Sequence, residues 1–425
     1  MKSVSSPSTS KMFAFFILSL CLVVPVQAQQ SPDPPTNQDD VNKQLLRRLQ
    51  ELENEVKQLK AQVATAAAAP PAPVPAPAPE PPPAVEMPQV NEVAPRLKFN
   101  VFGDVGYQAF DHIPSSFEFG SLDLFMTARL SDKVSTLGEV LFISLGDNSI
   151  GVDVERLFLR YRPSDSFTAS FGRYHTWVGY YNTAFNKGEF LETTTDRPFV
   201  YSFDDTGGVL PMQDVGINLT GKIPSGKMGL NYVVEVGNGR AYGLNVEPAQ
   251  NNQDANNSKS INGGLFMRPD KISGLQIGFS VRHDNLTVPG PAVAETIATV
   301  HGVFVNSKYE ILNEGILVRH NQSGGLIFNT GAFYSQFSRA FHAFRPYFRY
   351  QYFNAPSDDP AYIYASQNDY APLNVTTFVG RLNGPSAGVR YDFTEHSALK
   401  FQYDRFSLRG LATENGLTSQ VAFTF

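Results

Sequence analysis

The chain of 425 residues holds one cysteine, Cys21, so no disulfide framework can form. It also lacks a dominant charge. Lys and Arg number 34 against 40 Asp and Glu, a net of −6, which argues against a nucleic-acid partner. Beyond Val26 there is no apolar run of the roughly 20 residues that a spanning helix needs. No Gly-rich phosphate loop follows a strand and opens a helix. The seven histidines, His112, His175, His283, His301, His320, His342 and His396, fit no metal-ligand spacing and no nucleophile motif. The sequence therefore offers no catalytic residue, no metal site and no cofactor site, and an enzyme is not expected.

What is present begins with an export signal. Lys2 and Lys11 precede the apolar run Met12–Val26, and Val26-Gln27-Ala28 supplies compact residues before a cut after Ala28. That run is too short to anchor the chain as a spanning helix, and the bulky Leu20 before Cys21 argues against a lipoprotein site. Residues 1–28 are thus expected to be a signal peptide, followed by a short segment, 29–39.

Residues 40–65 carry a heptad. Asn42, Leu49, Val56 and Val63 take one core position, and Leu45, Leu52 and Leu59 the other. Flanking positions set Arg48 against Glu53 and Glu55 against Lys60. The pattern predicts an α-helical coiled coil roughly 36 Å long at about 1.5 Å per residue. Leu45, Leu49, Leu52, Val56 and Leu59 are its oligomerisation residues, and the heptad alone suits two strands or three. Residues 66–96 are rich in Ala and Pro, including Pro70, Pro71, Pro73, Pro75, Pro77, Pro79 and Pro81–Pro83. Such a run favours extended polyproline conformation and acts as a semi-rigid spacer.

From Leu97 to Phe425 the pattern changes to period 2. Val421, Phe423 and Phe425 alternate with Gln420, Ala422 and Thr424; Leu399, Phe401 and Tyr403 alternate with Lys400, Gln402 and Asp404. Each such segment is a strand with one apolar and one polar face. About sixteen segments are long enough to cross a bilayer as tilted strands. Every second connection is short and rich in turn formers, from Ser131-Asp132-Lys133 to Thr394–Ser397. The intervening ones include long stretches at Thr176–Gln213, Asn238–Lys259 and Asn354–Asn383. Short turns at one rim and long loops at the other predict an all-β, transmembrane antiparallel barrel of about 16 strands over residues 97–425, with its lipid-facing aromatics, among them Phe99, Tyr107, Tyr161, Phe171, Tyr232, Phe348, Tyr391 and Phe423, in two belts. Leu326–Phe337 and Val134–Leu145 depart from the pattern, with apolar residues on both faces.

A barrel that ends in Phe after an alternating strand resembles the outer-membrane porins, and the resemblance implies that Phe425 is an assembly signal. Phe171-Gly172-Arg173-Tyr174-His175-Thr176, Gly179-Tyr180-Tyr181-Asn182, Arg197-Pro198 and Asp205-Thr206-Gly207-Gly208-Val209-Leu210-Pro211 follow in an order similar to bacterial porins related to the phosphate-selective porin O and P family. A coiled coil ahead of a trimeric barrel also resembles the dicarboxylate-type porins. These resemblances imply a trimer in outer-membrane lipid with the coiled coil in the periplasm. The phosphate-specific members are implied to carry a dense basic ladder; here inward basic residues alternate with acids. The expected function is a water-filled channel for passive diffusion of small hydrophilic solutes or ions. The alternatives are an envelope tether acting through the coiled coil and a substrate-selective channel for anions or dicarboxylates.

Thr176–Gln213 is too long for an ordinary turn, and folding inward would narrow the lumen. Its charges are Lys187, Glu189, Glu192, Asp196, Arg197, Asp204 and Asp205. Arg156, Arg160 and Arg162 share one face of the fourth strand, and Arg345 and Arg349 point inward elsewhere. These twelve residues are the constriction candidates, since opposed charges across an aqueous passage tune which ions pass. Trp177, Tyr180 and Tyr181 are read as anchors of the loop to the wall. Replacing Leu45, Leu52 and Leu59 together by polar residues should abolish the coiled coil, read as lost helical circular dichroism in a 29–96 peptide; unchanged helicity would contradict the heptad reading.

Overall fold

The computed structural model describes residue 57 and residues 96–425, apart from 112, 145–147, 186–187, 203–208, 241–251, 253, 255, 287–291, 357, 360, 362–380 and 409–412. The chain forms two units, Met1–Gln89 and Val90–Phe425. Of the first only Lys57 is described, exposed and helical. The expected signal peptide, the heptad residues Leu45, Leu49, Leu52, Val56 and Leu59 expected to join protomers, and most of the linker lie outside the described residues. Among the described residues no helix is long and apolar enough to cross a membrane.

The second unit is a closed antiparallel barrel of sixteen strands, each hydrogen-bonded to its neighbours in sequence. The first eight are β1 (Arg96–Phe110), β2 (Ile113–Arg129), β3 (Val134–Ser144), β4 (Ile150–Ser164), β5 (Phe167–His175), β6 (Gln213–Lys222), β7 (Leu230–Gly237) and β8 (Ser260–Met267). The rest are β9 (Leu275–Leu286), β10 (Val293–Val305), β11 (Tyr309–Gln322), β12 (Ile327–Arg339), β13 (Phe344–Asn354), β14 (Arg381–Thr394), β15 (Ser397–Leu408) and β16 (Glu414–Thr424). β16 closes on β1 in the register Phe102 to Thr424 through Phe110 to Gly416. Closure leaves no unpaired edge, the condition a sheet must meet in hydrocarbon.

Turn chemistry marks one rim. Asn306 Oδ1 accepts the amides of Lys308 and Tyr309 at 2.9 and 2.7 Å, tying β10 to β11. Gly274 turns into β9 with φ +93°, and a Cβ there would stand 2.3 Å from the Val305 carbonyl oxygen, so only glycine fits. The opposite rim carries the long connections between β5 and β6, β7 and β8, and β13 and β14. We call these the turn rim and the loop rim.

The walls alternate as the period requires. On β9, Ile277, Phe279 and Val281 are exposed on the outside, while Gln276, Ser280, Arg282 and Asp284 are buried on the inside. Phe99, Tyr161, Phe171 and Phe348 are exposed outward. Tyr391 packs on Phe344 at 4.7 Å, and Tyr107 on Phe117 at 4.9 Å.

The two strands that break the alternation do so for a packing reason. On β12, Phe333 and Phe337 face out, while Ala332 and Tyr334 are buried in an apolar cluster inside the barrel. That cluster joins Ile297, Val303, Leu312, Ile316 and Val318 of the inner wall to Val178, Tyr181, Val200, Tyr201, Leu210 and Met212 of the β5–β6 connection. On β3, Leu137 packs inside with Phe158 and Tyr174. On β12 the apolar side chains of the inner wall thus mark where the connection covers it, whereas on β3 they pack among neighbouring wall residues.

Closure also depends on the last residue. The Phe425 amide donates to the Val101 carbonyl at 3.0 Å, the Val101 amide donates back at 2.8 Å, and the Phe425 ring lies 6.5 Å from that of Phe423. Deleting Phe425 removes two closing bonds, about 1 kcal/mol each. We expect slower acquisition of the heat-modifiable barrel in pulse–chase experiments; an unchanged rate would contradict a role for this residue in closure.

Candidate functional site

The β5–β6 connection enters the lumen. At its root the Thr176 amide donates to the Met212 carbonyl at 2.9 Å, and Asn182 Nδ2 bonds the carbonyls of Thr176 and Met212 at 2.8 and 2.9 Å. The Trp177 amide donates to Glu235 of β7 at 3.0 Å, while Asn218 and Asn262 each bond the same carboxylate at 2.7 Å. The Trp177 ring stacks on Phe266 at 5.1 Å. Gly264 makes room for it, since a Cβ there would lie 2.5 Å from the indole. Trp177 is therefore packed against the wall, as an anchor would be.

Two short helices follow, α1 (Tyr181–Ala184) and α2 (Gly188–Leu191). The amides of Tyr180 and Tyr181 bond Glu314 of β11. Phe190 of α2 packs with Phe102, Ala398 and Ala422 on β1, β15 and β16. The chain then returns along β15, β14 and β13. Lys400 Nζ donates to the Thr194 carbonyl at 2.8 Å, and Arg390 to the Glu192 carbonyl at 2.8 Å. Arg349 pairs with Asp196 at 2.6 Å, and Gln402 bonds the same carboxylate oxygen at 2.8 Å. The Phe199 amide donates to Gln351 at 2.7 Å ahead of a 3₁₀ turn, Phe199–Tyr201. The segment thus leaves β5, reaches wall residues from β7 round to β16 and β1, and comes back to β6.

The candidate charges fall into three groups. Arg156 pairs with Glu139 at 2.7 Å and lies over Phe125, and Arg160 lies over Phe158 at 4.9 Å with Ser170 at 3.4 Å. These two stand on the inner wall of β4. Glu192, Asp196, Arg197 and Arg349 belong to the loop and its seat. Glu192 is buried, which pushes its carboxyl up against the pull of Arg197 and Lys400, and Arg197 lies over the Tyr181 ring at 5.6 Å. Arg349 is fully buried beneath the loop. Arg162 and Arg345 stand apart, at the turn rim. Arg162 pairs with exposed Asp165 at 2.7 Å, and bonds from Lys222 and Arg162 hold that carboxyl below its usual range. Arg345 bonds Ser338 at 3.4 Å and the Ser307 carbonyl at 3.3 Å. Lys187, Asp204, Asp205 and the side chain of Glu189 lie outside the described residues.

The pattern of charges alone did not single out Glu235, Glu310 and Glu314, the wall carboxylates that hold the loop. Their signal is a mixed inner face: Glu310 and Glu314 alternate with Leu312, Ile316 and Val318 on β11, acids set among apolar residues that must be covered. Near the loop rim a second charged group is buried. Arg282 bonds Asp284 at 3.1 Å and Asp214 at 3.3 Å, and His320 bridges Glu295 at 3.0 Å to Asp359 at 2.7 Å. Arg240 pairs with Glu295 there. Among the described residues no group of three or more His, Cys, Asp or Glu could hold a metal ion.

No protein-family model matches the chain, and no curated protein matches it. Solved structures do. The anion-selective porin from Comamonas acidovorans aligns over 78% of this chain and 100% of its own, with a TM-score of 0.54 and 10% identity. Salmonella typhi OmpF in complex with daunomycin aligns over 77% of this chain and 97% of its own, at 0.51 and 12%. The outer-membrane channel DcaP of Acinetobacter baumannii aligns over the same shares, 77% and 97%, at 0.50 and 10%. At such identities the likeness is one of fold.

The buried and exposed pairs should differ in their response to mutation. Arg349→Met removes the donors beneath the loop and should cost about 1–3 kcal/mol. Arg162→Met, at an exposed pair, should stay within about 0.5 kcal/mol. Thermal unfolding in detergent micelles reads both; equal losses would contradict the burial of Arg349.

Proposed function

We propose that the protein is an outer-membrane channel through which small hydrophilic solutes diffuse passively, narrowed by the connection 176–213. The observation that carries this reading is the seating of that connection: wall side chains from β7 to β15 hydrogen-bond it inside a barrel whose outer wall is apolar. A loop tied at so many points is a fixed narrowing rather than a mobile lid. One of the similar barrels is an anion-selective porin and another an outer-membrane channel, which agrees with the reading.

The same geometry supports a modest preference for anions. Of the loop acids described, Glu192 is buried and Asp196 is neutralised by Arg349. Arg156 and Arg160 stay on the inner wall, Arg156 neutralised by Glu139 and Arg160 bonded, among the described residues, only to the hydroxyl of Ser170. A guanidinium whose partner is a hydroxyl keeps its charge available to a passing solute. We propose further that the chain is exported by its signal peptide, that the coiled coil lies in the periplasm, and that three copies assemble through it and through their walls.

Deleting Trp177–Asp204 should raise single-channel conductance severalfold and flatten size discrimination in planar bilayers. Arg156→Gln with Arg160→Gln should shift the reversal potential toward cations. Unchanged conductance in the deletion would remove the loop as the narrowing and make 354–383 the next candidate.

A further inference from the structure

We propose that Glu314 is the positioning residue of this channel: one buried carboxylate sets where the inward loop stands, and so sets the gauge of the passage. The proposal rests on the reading of that loop as the narrowing. Glu314 Oε2 accepts the Tyr180 amide at 2.6 Å and the Tyr201 hydroxyl at 2.8 Å. Its Oε1 accepts the Tyr181 amide at 2.9 Å and the Tyr334 hydroxyl at 2.5 Å. Each oxygen thus takes one backbone amide and one phenol.

Three of these four donors belong to the loop, and they come from both of its limbs. Tyr180 and Tyr181 lie on the way out from β5, and Tyr201 lies on the way back to β6. The other anchors tie one limb each: Glu235 holds Trp177, Arg349 holds Thr194 and Asp196, and Gln351 holds Phe199. Glu314 alone among these joins the two limbs to each other and to the wall. Its position on β11 is fixed in turn by the Tyr334 hydroxyl from β12.

The surroundings are built to this carboxylate. The rings of Tyr181 and Tyr201 stack at 5.5 Å, and both meet Tyr334 edge-on, at 6.0 and 6.1 Å. Gly179 has φ +94°, and a Cβ on it would come 1.9 Å from the Tyr201 hydroxyl and 2.5 Å from Glu314 Oε2. The chain can bring its amides to the carboxylate only with glycine there. All four donors are uncharged, so the buried carboxyl is held by hydrogen bonds alone, and each substitution can be scored by how many of them it keeps.

The donor inventory predicts a graded series. Glutamine offers one acceptor oxygen and one amide group in place of two acceptor oxygens. A phenol can rotate and accept from that amide, whereas a backbone N–H cannot, so Glu314→Gln releases one limb contact. Glu314→Leu releases all four. Tyr201→Phe releases only the returning limb.

The experiment measures single-channel conductance alongside iodide quenching of Trp177, the only tryptophan in the chain and a direct reporter on the outgoing limb. Conductance and quenching should rise in the order wild type, E314Q, E314L, with E314L approaching the conductance of the Trp177–Asp204 deletion. Leu137→Ala, in the separate inner cluster of β3 with Phe158 and Tyr174, is the control for simple destabilisation. It should lower the melting temperature and leave conductance near wild type. If E314L does not form a barrel, E314Q and Tyr201→Phe carry the test. A conductance rise on loop deletion with wild-type conductance and quenching in the Glu314 variants overturns the proposal and spares the narrowing. Unchanged conductance on loop deletion overturns the narrowing itself, and the gauge role of Glu314 with it.

Discussion

A carboxylate on the inner wall of a closed barrel, shut away from water, must find hydrogen-bond donors. The strands' own amides are already used in the sheet ladder. In this protein some donors are neighbouring wall side chains and the others come from a loop. Glu235 and Glu314 accept backbone amides of residues 177–181, and Glu310 accepts the hydroxyl of Thr193 at 3.1 Å. Leaving such a group unsatisfied costs about 1–3 kcal/mol, more when it is charged. The acids of β7 and β11 and the course of the loop therefore specify each other.

The cations on the opposite side work by the same logic with the signs reversed. Lys400 and Arg390 donate to loop carbonyls, and Arg349 to a loop carboxylate. Apolar packing fills what the polar anchors leave. Val200, Tyr201, Leu210 and Met212 of the loop bury the inner faces of β10–β13. The result is a barrel with an apolar outer wall, a polar ring of anchors inside it, and a second small core between loop and wall.

The barrel was legible because period 2 and turn residues act locally. Asn306 makes its turn with residues two and three positions away, and the alternation on β15 needs no partner to be seen. Parity along a strand also gives the face on which a residue lies, as for Lys400, Gln402 and Asp404, which are all buried inside the barrel. Parity gives no depth. Arg162 and Arg345 share the inner face with Arg156 and Arg349 but lie beside turns, at the rim. The pairing of Arg349 with Asp196 was not legible, since it joins residues far apart in the chain through a loop whose path the strand pattern does not encode. The one local trace of that path was the mixed face of strands such as β12, where Tyr334 looks inward.

The central claim is that the loop is fixed against the wall, one side covered and the other open. Single cysteines placed along it test this most directly, with Cys21 in the expected signal peptide. Thr183 and Leu191 are exposed, whereas Thr194 and Val200 are buried. Labelling of intact barrels by a water-soluble maleimide should be fast at Thr183→Cys and Leu191→Cys and slow at Thr194→Cys and Val200→Cys. Equal, fast labelling at all four positions would mean that the loop stands free of the wall, and the account would be wrong.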